Sequence, residues 1–317
     1  MLRYIFRRLL MLIPVVLGVA LFIFAVMDFT PGDPAVMILG EGATEAEYAA
    51  LRASLGLNDP LLLRYARYIM NALKGDFGVS YRTQIPVFQE IAARLPYTAV
   101  LAVVSTLIAV TVGLPVGVFS AVKQYSLSDN FALGCALLMT SMPTFWLAMM
   151  LVLYFSLKLK LLPAMGVQSW RHFILPAIAN ASATTASLLR MTRSTMLEVI
   201  RQDYIRTARA KGAKENTVIF GHALRNALLP VVTLIGVNFG AALSGTIVIE
   251  QVFAIPGLGQ LMVNAIRTKD TPMIIASLLF TAIIASLVNL LVDILYAYID
   301  PRLKAKFSVV KRKKVSA

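Results

Sequence analysis

Few residues of this 317-residue chain have the type and spacing that catalysis requires. Its two histidines, His172 and His222, are not accompanied by an H-E-x-x-H pattern, so a zinc-protease site is not indicated. Ser244 lies in the segment A-L-S-G, which has alanine where a serine-hydrolase motif would have glycine. The single cysteine, Cys135, stands in an apolar run, as a small core residue would. We therefore predict no catalytic residue and no metal site.

The chain also lacks the glycine-rich loop that binds nucleotide phosphates. No G-x-x-x-x-G-K-[ST] pattern occurs in the sequence. If ATP drives this protein, another subunit must bind the nucleotide. The function therefore has to be inferred from the membrane spans and the segments that connect them.

Composition places that arrangement in a membrane. Hydrophobic residues make up 58% of the chain and charged residues 15%, and the mean hydropathy is +0.76. Soluble domains carry roughly 25% charged residues, so a single soluble core is excluded. The net charge of +14 would by itself suggest a nucleic acid partner, but the positions of the charges give another explanation.

Uncharged runs predict six membrane spans. Five are long enough to cross a bilayer as helices, which takes about 20 residues. The sixth, 173–189, is rich in Ala, Ser, Thr and Asn, and we include it because the basic segments would otherwise fall on opposite sides. The other predicted spans are 9–27, 95–122, 130–157, 226–249 and 271–292.

The basic residues predict the orientation of these spans. With six spans, 19 of the 30 Lys and Arg residues fall on the side of both termini, which the positive-inside rule assigns to the cytoplasm. This accounts for much of the net charge without nucleic acid, and the basic tail at 301–317 is expected to anchor on the inner leaflet. The N-terminus begins like a signal peptide, but no Ala-x-Ala-like cleavage site precedes Asp28, so it should remain as the first span.

Segment 28–94 predicts a small helical module outside the membrane. Thr44 and Glu47 form a capping box, and Gly56 is placed to end the helix that follows. The module would contact a component of the external compartment or pack on the bundle as a lid. Its remaining helix signals are starts at Asp59-Pro60 and Pro86, and stops at Gly75 and before Pro96.

Two pairs of glycines predict close contacts between helices. Gly113 and Gly117 are four residues apart, as are Gly236 and Gly240, and this spacing lets helix backbones approach in a bilayer. The contacts could join a second membrane subunit or serve ordinary packing within the bundle.

Weakly polar residues within the predicted spans indicate a pathway for a bulky polar solute. Polar groups in hydrocarbon usually face a bundle interior or a water-filled path. The alternative is that they only bond neighbouring helices. Our candidates for lining the pathway are Ser141, Met142, Asn238 and Ser244.

The most informative element is a basic, helix-forming insert at 203–230 between two apolar segments. Apolar residues up to Ile205 recur at helical spacing, and Gly212 is placed to end that helix. A second short helix should follow at 213–222, before the chain returns to the membrane at Pro230. Physical patterns alone allow a projecting elbow or an amphipathic helix on the inner leaflet, and the sharp reversal at Gly212 favours the elbow.

This insert resembles the cytoplasmic signature of permease subunits of binding-protein-dependent ABC importers, in the dipeptide, oligopeptide and nickel family. Their EAA motif reads Glu-Ala-Ala, three residues, Gly, and later Ile-x-Leu-Pro. Here Ala208 and Gly212 are kept, whereas Arg206 and Thr207 replace Glu and Ala, as is typical of the peptide and nickel branch. Further similar segments are PGDP (31–34), LGLNDP (55–60), GDFGVS (75–80), SMPTFW (141–146), ILP (174–176), PGLG (256–259) and NLLVD (289–293).

The resemblance implies an all-α integral membrane protein with the type I ABC importer permease fold. Such a fold would have six transmembrane helices, a helical periplasmic module after the first span and a cytoplasmic coupling helix at about 213–222. It implies a division into 1–94, 95–300 and 301–317, in a bacterial or archaeal cytoplasmic membrane. The implied partners are a second homologous permease subunit, one or two ATPase subunits and an external substrate-binding protein.

The resemblance also implies which residues couple to the ATPase. No enzymatic activity and no cofactor are expected in this chain, since ATP and Mg²⁺ would be bound by the ATPase. The implied coupling residues are Asp203, Tyr204, Ala208, Gly212, Ala213, Lys214, Glu215, Val218, His222 and Arg225.

Two other classes of protein compete with this interpretation. An ion-coupled secondary transporter usually needs ionisable groups near the midplane, but Asp28, Asp129, Glu250 and Asp293 all lie at the ends of predicted spans. A membrane-embedded hydrolase is opposed by the missing metal and nucleophile motifs.

The substrate is less well indicated than the class. The short connection at 158–172 resembles nickel and glutathione members, whereas RTARAKG and HALRNALLPVVT resemble peptide and glutathione members. We favour a short peptide, with nickel or a metal chelate as the alternative.

Overall fold

The computed structural model describes residues 2–29, 33–243 and 246–299, which form helices joined by turns. Ser244 and the basic tail at 301–317 lie outside the described residues. Two π-helical segments, Val152–Lys158 and Thr217–Ala223, and a 3₁₀ turn at Trp170–Phe173 accompany the α-helices. The α-helices are α1 (Leu2–Phe29), α2 (Pro34–Leu39), α3 (Glu45–Ser54), α4 (Leu61–Ala72), α5 (Val87–Val122), α6 (Leu127–Ser141), α7 (Thr144–Leu151), α8 (Ile174–Ile200), α9 (Asp203–Ala210), α10 (Leu224–Leu243), α11 (Ile247–Val252), α12 (Leu258–Arg267) and α13 (Thr271–Ile299).

Four helical segments of the described chain are long and apolar enough to cross a membrane, and a bent pair gives a fifth candidate. The four are Leu10–Phe29, Val87–Val122, Thr217–Leu243 and Thr271–Val292. The prediction of several apolar spans is thus confirmed, although α8, which holds the predicted span 173–189, is not among these candidates.

The predicted span at 130–157 corresponds to the bent pair, which is broken near its middle. Leu127–Ser141 and Thr144–Lys158 meet at an angle of 102°. Met142 leaves the helix with an extended ψ of 125°. The following Pro143 disfavours helical backbone at the residue before it and has no N–H to continue the hydrogen-bond ladder, so the helix stops and restarts.

The described chain divides into two compact units. One contains residues 2–5, 100–242 and the described residues from 287 onwards, and the other contains the described residues of 6–99 and 243–286. The centre of the first unit is α8, which packs against both α6 and α7. Many of its buried residues are small, including Ala177, Ala181 and Ala186, and small side chains allow close packing.

The glycines of α5 give it a close approach to α8. A Cβ atom on Gly113 would lie 2.8 Å from the carbonyl oxygen of Thr185, and one on Gly117 would lie 2.7 Å from that of Leu189. Only glycine leaves room for backbone at these distances. The two helices therefore meet nearly backbone to backbone along this seam.

The second glycine pair gives α10 a similar approach to α13. A Cβ on Gly236 would collide with Val292, and one on Gly240 would lie 3.3 Å from Val288 Cγ1. The predicted close contacts are confirmed for both pairs. They are packing contacts within the chain, the second of the two alternatives left open by the sequence.

In the other unit, most local helix signals around α3 and α4 are confirmed. Thr44 and Glu47 form the capping box of α3, and Gly56 and Gly75 follow the two helices with positive φ angles of 66° and 85°. The prediction that Asp59 is the N-cap of α4 is wrong. Pro60 precedes that helix, and Asp59 accepts a hydrogen bond from Arg67 Nη2 at 2.7 Å instead.

The predicted stop before Pro96 is also wrong. The helix that follows Pro86 is α5. It has 36 residues, from Val87 to Val122, and it continues through Pro96. Proline removes one helical hydrogen bond, but membrane helices tolerate that loss when neighbouring groups compensate. Packing on both sides of Pro96, with Ile91 and Leu101 buried, outweighs the local signal.

A buried carboxylate organises the end of the same unit. Glu250 accepts hydrogen bonds from Thr98 Oγ1 at 2.8 Å and from the backbone N–H of Gln260 at 2.9 Å. The Thr98 hydroxyl oxygen accepts from the N–H of Leu258 at 2.8 Å. Together the two side chains cap the start of α12, and burial raises the pKa of Glu250.

Candidate coupling site

The basic insert forms an elbow, which we define as residues 201–225. The helix predicted to run unbroken to Gly212 is interrupted, because α8 ends at Ile200 and α9 begins at Asp203. Gln202 between them has an extended ψ of 150°, and the carboxylate of Asp203 at the first position of α9 suits a helix start. Gly212 ends α9 as predicted, with a φ of 78°.

The second short helix predicted at 213–222 is not a separate element. Helical backbone runs without interruption from Glu215 to Leu243, through the π-helical segment Thr217–Ala223. In that segment the N–H of Leu224 donates to the carbonyl of Ile219, five residues earlier. Neither Gly221 nor Pro230 interrupts this helix, so the free-standing short helix of the elbow is α9.

One side of α9 is anchored in the bundle. Ile205 is completely buried, and it belongs to a cluster with Val118 of α5, Met196 of α8 and Val218 of the π-helical segment. We call this set the anchor cluster. Because α5, α8 and the π-helical segment all contribute to it alongside α9, α9 cannot swing freely about its link to α8.

An ion pair closes the turn at Gly212. Arg209 donates to Glu215 from Nε at 3.1 Å and from Nη2 at 2.6 Å. The N–H of Ala213 donates to the carbonyl of Ala208 at 3.2 Å, which completes the turn. The guanidinium of Arg209 lowers the pKa of the Glu215 carboxyl group below its ordinary value.

The structure divides the ten predicted coupling residues into two groups. Val218 is buried in the anchor cluster, and Ala208 and Ala213 are half-buried against it. Sequence reasoning did not select Ile205 or Arg209 as site residues, although an isoleucine in a polar, basic helix was an available signal. The exposed members are Asp203, Tyr204, Gly212, Lys214, Glu215, His222 and Arg225.

The pathway candidates are distributed over two helices. Ser141 and Met142 lie at the bend between α6 and α7, where Ser141 is exposed and Met142 is half-buried. Asn238 donates to the carbonyl of Leu234 in its own helix at 2.8 Å, so this bond is made within α10. Ser244 lies outside the described residues.

The carboxylates at the predicted span ends have local partners. Asp28 pairs with Arg64, Glu250 caps α12, and Asp129 accepts hydrogen bonds from Arg193. The side chain of Asp293 lies outside the described side chains. These three local roles do not form the chain of ionisable groups that an ion-coupled transporter would use.

Four or five candidate spans and a basic elbow held by the anchor cluster are the features of a polytopic membrane protein. The chain belongs to the family described as binding-protein-dependent transport system inner membrane component, which matches residues 113–305. Residues 1–102 match the N-terminal region described for such membrane components.

Relatives match this chain over their whole length. It is 42% identical over 306 residues to the glutathione transport system permease protein GsiC of Salmonella paratyphi A, 40% identical over 338 residues to the dipeptide transport system permease protein DppB of Escherichia coli, and 41% identical over 315 residues to the oligopeptide transport system permease protein AppB of Bacillus subtilis. Each alignment covers 96% of this chain and 100% of the relative.

Solved structures share the fold at lower identity. Two inward-facing crystal forms of the MetNI methionine ABC transporter align with TM-scores of 0.56 and 0.57 at 19% identity. They cover 66% and 67% of this chain and 96% and 97% of the matched chains.

The chain is therefore a permease subunit of an ABC importer in the inner membrane, a transport component rather than an enzyme. Permease subunits of this family carry no cofactor of their own, and they work with an ATPase and a substrate-binding protein.

Proposed function

We propose that this chain is one of two homologous permease subunits that form the pathway of an importer for short peptides, such as dipeptides, oligopeptides or glutathione-like tripeptides. The observation that carries the proposal is the 40–42% identity, over the whole length, to permeases named for glutathione, dipeptides and oligopeptides. An external binding protein delivers the peptide, and one or two cytoplasmic ATPase subunits drive its passage.

The proposed topology has six spans, with α8 as the fourth and both termini in the cytoplasm. The excess of Lys and Arg on the terminal side supports this orientation. The helices of segment 28–94 then lie in the periplasm, and the elbow lies in the cytoplasm. The proposed division at 94 is supported by the boundary between the two matched family regions, 1–102 and 113–305, and the proposed basic tail begins at 301.

The proposed contact with the ATPase is the exposed face of α9 and the turn that follows it. Asp203, Tyr204, Lys214 and Glu215 are exposed there, while Ile205 fixes the helix from below. Because α9 is held in this way, a force that the ATPase applies to it is transmitted to the helices of the bundle. We propose that Ser141, Met142, Asn238 and Ser244 line the pathway that the motion opens.

Transport by the whole assembly tests the substrate. The tagged chain is purified with its bound subunits and reconstituted into liposomes with the binding protein, and uptake of radiolabelled dialanine, glutathione and Ni²⁺ is measured with and without ATP. We expect ATP-dependent, saturable uptake of a peptide. Uptake of Ni²⁺ alone would establish a metal importer, and uptake without an ATPase would establish a secondary transporter.

Accessibility of single cysteines tests the topology. The chain has one natural cysteine, so Cys135→Ser provides a background for Glu45→Cys and Arg206→Cys. Both introduced positions are exposed. In intact cells a membrane-impermeant maleimide should label position 45 after the outer membrane is permeabilised, and position 206 only after the inner membrane is opened. The reverse pattern would invert the proposed orientation.

A further inference from the structure

Asp129, at the start of α6, is a completely buried carboxylate. Arg193 of α8 donates to both of its oxygens, from Nε and from Nη2, each at 2.8 Å. The N–H of Tyr125 donates at 2.8 Å, and the hydroxyl of Ser120 on α5 also donates. One carboxylate therefore joins α5, the turn after it, α6 and α8.

This ion pair lies at the end of the seam between α5 and α8. Just before it in α5, Gly117 lets the backbones of α5 and α8 approach, and a Cβ on Gly117 would lie 2.7 Å from Thr192 Cβ. Beyond it, Arg201 donates to Gln124 at 3.3 Å, which ties the turn after α5 to the residue that follows α8. Contacts at Gly117, Asp129 and Gln124 therefore join the ends of α5 and α8.

The same helix ends also carry α9. Only Arg201 and Gln202 separate α8 from α9, and the anchor cluster places Ile205 against Val118 of α5 and Met196 of α8. A displacement of α9 acts directly on α5 and α8. Transfer of that displacement to α6 runs through the apolar packing of α6 on α8 and, at the start of α6, through the charged contact of Asp129.

We propose that the Asp129–Arg193 pair is a positioning clamp that makes α5, α6 and α8 move together with α9. The proposal rests on the proposed function, in which α9 contacts the ATPase. With the clamp intact, a push on α9 reaches the bend between α6 and α7. Without it, the apolar packing of α6 on α8 remains, but the displacement of α9 is passed on incompletely, and ATP hydrolysis continues with much less transport.

The test is the ratio of peptide uptake to ATP hydrolysis in the complete reconstituted transporter with its binding protein. Asp129→Asn removes the charge and keeps the shape of the side chain. We expect bound ATPase and stimulated hydrolysis to remain, while uptake per ATP falls by about tenfold, within the range typical of coupling between sites. As a control, Asp59→Asn removes the partner of Arg67 in an exposed pair, and it should leave the ratio unchanged.

Arg193→Lys provides the second variant, since it keeps the charge but loses the two-pronged geometry of arginine. If Asp129→Asn fails to assemble, Arg193→Lys should still lower the ratio. An unchanged ratio in the assembled variants, or a parallel loss of uptake and hydrolysis, would overturn the clamp. A wild-type chain that binds no ATPase would instead overturn the proposed function.

Discussion

Arg209 and Glu215 face each other across Gly212 and make two hydrogen bonds, which hold the end of α9 against the start of the long helix that follows. Both side chains are partly exposed, Arg209 by 39% and Glu215 by 57%, so solvent screens the pair. Its effect is therefore local. It shapes the elbow and contributes little to the free energy of unfolding of the whole subunit.

Acidification should loosen the elbow. The folded state lowers the pKa of Glu215 from its ordinary 4.5, so the stabilisation is present above about pH 4.5 and is lost as the pH falls through the lower, folded value. A spin label on Lys211→Cys, in the Cys135→Ser background, should become more mobile below pH 4.5. In Glu215→Gln the label should already be mobile at pH 7 and should not respond further. A label that responds to acid equally in both proteins would exclude this ion pair as the cause.

Gly212→Ala should weaken binding of the ATPase without preventing membrane insertion. A Cβ at Gly212 meets no atom within 4 Å, so the cost comes only from the positive φ of 78° and is about 1 kcal/mol. Gly212→Asn should be milder, because asparagine adopts this conformation more readily. Co-purification with the ATPase provides the measurement.

Gly221→Ala is the matched control for that experiment. Gly221 is exposed in the neighbouring π-helical segment, where a Cβ would meet Thr217 Cγ2 at an ordinary 3.7 Å. We expect this variant to bind the ATPase as the wild type does. Equal binding by Gly212→Ala and Gly221→Ala would show that the left-handed turn is not required.

Gly113→Ala should lower the thermal stability of the purified subunit. The added methyl group would lie 2.8 Å from a backbone oxygen of α8, and forced separation of packed helices costs about 1–3 kcal/mol. In α6, a Cβ on Gly134 meets nothing within 4 Å, so Gly134→Ala should be neutral or slightly stabilising. Thermal denaturation in detergent compares the two, and equal midpoints would contradict the close seam.

Thr98→Val should release the start of α12. The substitution removes a hydroxyl that accepts from the N–H of Leu258 and donates to Glu250, leaving buried polar groups unsatisfied at a cost of about 1–3 kcal/mol. Hydrogen exchange of the Leu258 amide should accelerate. Thr111→Val is the control, since that exposed hydroxyl bonds only carbonyls of its own helix. If both variants exchange alike, the capping role of Thr98 is wrong.

Short-range signals predicted much of this fold. The capping box at Thr44, the positive φ at Gly212 and the small-residue seams depend on a few neighbouring residues, and all are present in the structure. The errors share a different origin. Pro96 and Pro143 carry the same local signal, yet Pro143 breaks a helix, whereas Pro96 lies inside one in which Ile91 and Leu101 are buried on either side of it.

The candidate site shows the same limit. The sequence indicated the elbow and its terminating glycine, since basic residues and Gly212 are visible in one dimension. An isoleucine in a polar, basic helix was a signal that Ile205 is buried, but the sequence did not indicate that its partners are Val118 and Met196 on two other helices. The pairing of Asp129 with Arg193 was equally inaccessible, since nothing local links two residues on separate helices.

The composition of α8 has a consequence for biosynthesis. Its first half is built from small and weakly polar residues, most of them buried in the bundle, and it is not among the helices apolar enough to cross a membrane by composition alone. A nascent chain that reached only this helix would gain little by leaving the translocon for lipid. We therefore expect α8 to enter the bilayer after α5 and α6 have been inserted, by packing against these helices.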